Sequence, residues 1–134
     1  MEELNIGYVA FSPLANGFLS AQYGKDAKFE AGTDYRSVMP QFTPEGMEQN
    51  RALLGLIHQL AEEKQATPAQ VSLAWMLCKR SYIVPIPGTR KLERMKENAG
   101  AADISLSASE VQTLDNALDN MKMSAVFGGT QIKK

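Results

Sequence analysis

The stretch Ile83-Val84-Pro85-Ile86-Pro87-Gly88-Thr89-Arg90-Lys91-Leu92-Glu93-Arg94-Met95-Lys96-Glu97-Asn98 decides how the chain is read. A short β-branched run, broken by prolines and a glycine, opens directly into a charged segment of helical character. That order predicts a strand from Tyr82 to Ile86, a tight turn, and a helix from Lys91 to Ala99. At such a helix start the backbone N–H groups and the helix dipole favour an anion. Thr89, Arg90, Lys91 and Arg94 gather there beside Gly88, so a phosphate would meet a hydroxyl, cations and amides together. The same residues also suit a plainer reading, a Thr-started helix with Lys and Arg on its solvated face.

Around this stretch the composition narrows the choices. With 134 residues the chain holds one domain at most. Fourteen Lys and Arg against 15 Asp and Glu leave a net charge of −1, so nothing advertises a polyanionic partner. The single cysteine, Cys78, is expected mid-helix in an apolar setting, which argues against a disulfide or a metal cluster and suits a reducing cytoplasm. No apolar run approaches the roughly 18 residues of a membrane span, and no signal peptide is visible. The expectation is a soluble cytoplasmic protein without a membrane or nucleic-acid partner.

Working outward, Gly7 to Phe11 is apolar and aromatic and ends at Ser12-Pro13, which predicts a short buried strand. Residues 15 to 43 show neither helical nor strand periodicity and read as a long loop, a length that is functional or disordered in most compact domains. Thr43-Pro44-Glu45 starts a helix ending near Gln65, with Leu53, Ile57, Leu60, Ala61 and Lys64 on one face. Thr67-Pro68 starts the next, whose apolar stripe is Val71, Ala74, Trp75 and Cys78. Ser107-Ala108-Ser109-Glu110 is a capping box before Val111, Leu114 and Leu118. Trp75 and the seven methionines read as core filling. The tail from 121 to 134 reads as mobile.

These segments also carry a resemblance. Ile86-Pro87-Gly88-Thr89-Arg90, followed by Arg94 and Glu97-Asn98, resembles the adenosine-phosphate end of the aldo-keto reductases, NADPH-dependent enzymes on a (β/α)8 barrel. Gly7 to Leu19 is similar to that family's seventh strand and the loop after it. Asp34-Tyr35-Arg36 with Met39-Pro40-Gln41-Phe42 resembles a loop of one bacterial branch, which usually has Phe where Tyr35 stands and Arg where Gln41 stands. Thr67 to Trp75 is similar to the helix before strand eight. The four matches run in the family's order over about Ile6 to Asp119. The fold class implied is α/β: the C-terminal part of a TIM barrel, strands seven and eight with their helices, largely helical. A whole barrel takes about 250 residues, so the single partial domain is expected to be completed by self-association or element exchange.

By the same resemblance, Ser12, Leu14, Gly17 and Leu19 would lie along the pyrophosphate of NADPH. Gly17 there would let the main chain approach closely, although Ser-Pro ending a strand and Asn16-Gly17 forming a turn fit the residues equally well. Gly88, Thr89 and Arg94, reinforced by Arg90 or Lys91, would hold the adenosine 2′-phosphate and favour NADPH over NADH. Glu97 and Asn98 would bond the adenine amine, or would simply be an exposed acid and a helix-ending Asn. The family's catalytic tetrad of Asp, Tyr, Lys and His comes from earlier strands that this sequence lacks, so no catalytic residue is assigned. His58, the only histidine, has no nucleophile or second ligand near it in sequence. A carbonyl substrate is expected only where the rest of the barrel is supplied. Two other readings stand beside this one: a non-enzymatic, oligomerising reductase remnant, and a helix-turn-helix nucleic-acid binder. The proline-rich strand between the helices and the near-neutral charge argue against the last.

Overall fold

Three helices begin where short side chains replace missing backbone partners. In the computed structural model, which describes residues 1–24 and 26–119, Thr43 Oγ1 accepts from Gly46 N at 3.0 Å and starts α1 (Pro44–Gln49). Thr67 and Gln70 exchange reciprocal bonds of 3.2 and 3.0 Å ahead of α3 (Pro68–Lys79). Ser107 and Glu110 do the same, at 3.2 and 2.7 Å, ahead of α5 (Ala108–Asp119). Each such cap contributes about 1 kcal/mol by satisfying N–H groups that a helix start leaves open. The tail from 121 to 134 lies outside the described residues.

The helix expected to run unbroken from Thr43 to Gln65 is two helices, α1 and α2 (Arg51–Glu63), joined by a kink at Asn50 with φ −97° and ψ 3°. The buried Asn50 amide donates to Gly46 O at 2.8 Å, a local side-chain bond that competes with regular helix geometry. Leu53, Ile57, Leu60 and Ala61 of α2 are buried as expected, whereas Lys64 caps the helix end and pairs with Glu110 at 2.8 Å.

The two expected strands form. β1 (Tyr8–Phe11) and β2 (Ile83–Ile86) pair in parallel, Tyr8 opposite Ile83 through Phe11 opposite Ile86. Parallel neighbours require a long crossover between them, and here it consists of the segment 12–43 together with α1, α2 and α3. That segment is not the featureless loop anticipated. It contains a kinked turn over Ala15–Ser20 and 3₁₀ turns at Tyr35–Val38 and Pro40–Phe42.

α3 lies at the centre, against β2 on one side and α2 on the other. The core collects Leu53, Ile57 and Leu60 from α2, Val71 and Trp75 from α3, and Leu114 from α5. The Trp75 indole N–H donates to Asp115 Oδ1 at 2.9 Å, and Lys79 Nζ meets Asp115 Oδ2 at 2.5 Å, so α3 and α5 are joined by polar as well as apolar contact. The Lys79 ammonium holds the Asp115 carboxyl below its ordinary range, with the Trp75 bond acting in the same direction. Lys64 does likewise for Glu110, helped by the Ser107 N–H.

Cys78 is exposed rather than set in an apolar stripe. The last turn of α3 runs past the core, leaving Leu77 exposed beside it. The methionines also divide: Met39 and Met47 are buried, whereas Met1 and Met95 are exposed. Nor is the first strand buried as anticipated. On the sheet face away from α3, Val9 stands opposite Val84 and Phe11 opposite Ile86, and all four side chains are more than half exposed. Among the described residues no helix is long and apolar enough to cross a membrane, and no group of His, Cys, Asp and Glu is placed to hold a metal ion.

Candidate functional site

Parallel strands send their carboxyl ends to one edge of a sheet, and crevices beyond that edge are where α/β folds take ligands. Both strands here finish at such an edge, β1 in Ser12-Pro13 and β2 in Pro87-Gly88-Thr89. Between these two exits and α4 (Leu92–Ala99) lies a groove of about 450 Å³, within the size range of small-molecule sites.

Its first wall is the turn after β1. Ser12, Ala15, Asn16 and Gly17 all have positive φ (49°, 48°, 60° and 93°), backbone that side-chain-bearing residues rarely adopt. Gly17 suits this conformation, and a Cβ there would lie 3.0 Å from the Tyr23 ring, close enough that the ring would have to shift. Asn16 pins the turn from within: its Oδ1 accepts from Ser12 Oγ at 3.4 Å and from the Tyr35 hydroxyl. The Tyr35 hydroxyl is thereby fixed to the turn. Strain of this kind persists only where surrounding structure enforces it, and functional sites are where it concentrates.

The second wall is α4. Thr89 Oγ1 accepts from Lys91 N at 3.1 Å, and the N-cap, Lys91, supplies no side-chain cap of its own. The first turn of α4 therefore keeps uncapped N–H groups beside Thr89 and Arg94. A Cβ at Gly88 would meet nothing within 4 Å, so the strand exit is open to an approaching group. Glu97 and Asn98 line the groove further along α4, and Glu97 O is held by Gln70 Nε2 at 3.0 Å.

A third wall is the segment between the turn and α1, which includes the Asp34-Tyr35-Arg36 loop singled out by resemblance. Its aromatic rings pack tilted and edge to face: Tyr23 to Phe29 at 5.4 Å and Phe29 to Phe42 at 4.8 Å between centroids. Arg36 lies over two of these rings, 4.6 Å from the Phe29 centroid and 5.1 Å from that of Tyr23, while Asp34 grips its guanidinium through Nε and Nη2. That pairing raises the Arg36 pKa and lowers that of Asp34. Gln22, Tyr23 and Arg36 all face the groove. Gln41, by contrast, is buried beside Met39 and does not line it.

Of the residues singled out from sequence, Ser12, Leu14, Gly17, Gly88, Thr89 and Arg94 meet in this groove, joined by Glu97 and Asn98. Leu19 and Arg90 are not among its lining residues. The Leu19 side chain packs on the core, its N–H donates to Leu14 O at 3.1 Å, and its carbonyl accepts from Ser72 Oγ at 3.0 Å. The Gly17 N–H is likewise engaged, with Leu14 O at 2.9 Å, so neither amide is free for an anion in this conformation. His58 lies exposed on α2, away from the groove.

The arrangement can hold an extended anionic ligand: Arg94, a hydroxyl and a helix start at one end, close backbone at the other. Residues 1–119 match the family described as aldo/keto reductase. A Schizosaccharomyces pombe protein named aldo-keto reductase yakc, with NADP(+) in its name, is 36% identical over 121 residues, which cover 90% of this chain and 35% of that one. A Strobilurus tenacellus protein, aldo-keto reductase str7, is 38% identical over 109 residues, 81% of this chain and 32% of its own. The chain thus spans about a third of the length of the curated relatives it matches. A glycerol dehydrogenase structure from Gluconobacter oxydans superposes with a TM-score of 0.81 at 22% identity, covering 96% of this chain and 38% of that one.

Proposed function

The chain belongs to the aldo/keto reductase family, and on that footing we propose that it is the C-terminal portion of such a barrel, carrying the NADPH-binding surface. β1 and β2 are then barrel strands seven and eight. One observation carries the cofactor reading: the groove gathers Ser12, Leu14 and Gly17 with Thr89, Arg94 and Asn98, from two regions far apart in sequence. The donor set suits a dinucleotide phosphate. A guanidinium, a hydroxyl and an uncapped helix start favour a 2′-phosphate, which accepts charge-assisted bonds that a 2′-hydroxyl cannot. Asn98 and Glu97 hold the adenine, and the pinned turn at Asn16 and Gly17 sets the backbone along the pyrophosphate. Bound NADPH supplies the hydride that reduces an aldehyde or ketone in this family. The proton donor and its partners belong to strands that precede β1, so this chain binds the cofactor and by itself reduces nothing.

A second reading is favoured by the sheet. Val9, Val84 and Ile86 are exposed on one face, and a two-stranded sheet leaves outer edges without a neighbour among the described residues. Apolar faces and open edges of this kind promote association. The chain therefore self-associates or exchanges elements with a copy, and as a non-enzymatic remnant this would be its main property.

Incubating the purified chain with NADPH and a simple aldehyde, with sizing of the same sample by light scattering, tests both parts. The expected result is NADPH fluorescence altered by binding, no consumption of NADPH, and a dimer or larger species. Steady NADPH oxidation would overturn the assignment of catalysis to absent strands, and a clean monomer would overturn self-association.

A further inference from the structure

Arg94 is met from across the groove. Gln22 Oε1 accepts from Arg94 Nη2 at 2.7 Å, a bond between residues 72 positions apart in the chain. Gln22 is not free to wander to this position. Ala21 before it turns the chain with φ 53°, its N–H bonded to Phe18 O at 3.1 Å. Tyr23 after it is anchored in the aromatic cluster and accepts from Arg36 Nη1 at 2.7 Å. The backbone on both sides of Gln22 is therefore set, and its amide oxygen is delivered to the guanidinium edge.

We propose that Gln22 is the specificity-positioning residue of this site, aiming Arg94 at a 2′-phosphorylated adenosine without neutralising it. The inference rests on the cofactor reading above and adds to it a residue on the opposite wall. An amide oxygen orients a guanidinium through one hydrogen bond and leaves its charge intact. A carboxylate in the same place would form a paired, charge-cancelling contact, as Asp34 does with Arg36 in this molecule. A phosphate would then have to break an ion pair to reach Arg94, whereas against Gln22 it displaces a neutral partner. Two arginines line the same groove, one held by an acid and one by an amide, and only the second keeps an unpaired charge for a ligand.

The test uses the full chain and two probes that need only the adenosine end, adenosine 2′,5′-bisphosphate and adenosine 5′-monophosphate. Gln22→Glu is expected to weaken the bisphosphate by about tenfold or more while leaving the monophosphate within about twofold. Gln22→Met, which removes the hydrogen bond without adding charge, is expected to cost the bisphosphate only about threefold. Equal losses for both probes in Gln22→Glu, or no loss for either, overturn the role of Gln22. If Arg94→Ala is selective for the bisphosphate while Gln22→Glu is not, the positioning role alone fails and the cofactor reading stands. If the unsubstituted chain does not prefer the bisphosphate, both fall.

Discussion

Arg94→Ala weakens NADPH binding by about tenfold to a hundredfold and leaves NADH within about threefold. A hydrogen bond to a charged group is worth about 1.5–3 kcal/mol, and 1.4 kcal/mol is a factor of ten in affinity. Arg94 is only half-buried, so water and salt screen it and place the effect toward the lower end of that range. Loss is not complete, because Thr89 and the uncapped first turn of α4 still favour an anion. The selectivity follows from chemistry that the two cofactors do not share: NADH offers a hydroxyl where NADPH offers a phosphate. A titration of both cofactors against the variant reads the difference directly. Equal losses would mean that Arg94 contacts a part common to both, and the 2′-phosphate assignment would fail.

The largest effect on stability is expected at Leu114. It is fully buried among Leu53, Ile57, Leu60, Val71 and Trp75, and it is the residue through which α5 enters the core. Leu114→Ala removes that contact and leaves a cavity that the surrounding helices fill only in part. Such changes cost about 2–5 kcal/mol against a total stability of about 5–15 kcal/mol for ordinary domains. The urea midpoint should therefore fall sharply at an unchanged slope. Met95→Ala is the control, because an exposed methionine should shift stability by no more than about 0.5 kcal/mol. A small effect at Leu114 would mean that α5 is not packed onto α2 and α3 in solution.

Local chemistry made much of this fold legible. Thr43, Thr67 and Ser107 announce helix starts because a hydroxyl can bond its own neighbouring N–H groups, whatever lies elsewhere. The strands around Val9 and Val84 are equally local signals, though the exposure of their apolar faces is not, because it depends on what lies beside them. What could not be read depends on distant partners. Asn50 reads as one more helical position until its amide is seen folding back on Gly46. Tyr23, Phe29 and Arg36 form a wall only because the chain between β1 and α1 closes on itself. Family order alone pointed Leu19 at the pyrophosphate, whereas in the fold its side chain packs on the core and its N–H bonds to Leu14 O. Gln22 carried no signal at all, since its role exists only opposite Arg94.

Isothermal titration of the unsubstituted chain with NADPH, and with NADH as control, tests the central claim most directly. Saturable binding with a clear preference for NADPH is the predicted result, because Arg94 and Thr89 line one groove beside the start of α4, where the proposal puts the 2′-phosphate. No binding, or equal binding of the two cofactors, would contradict the claim that this groove is an NADPH site.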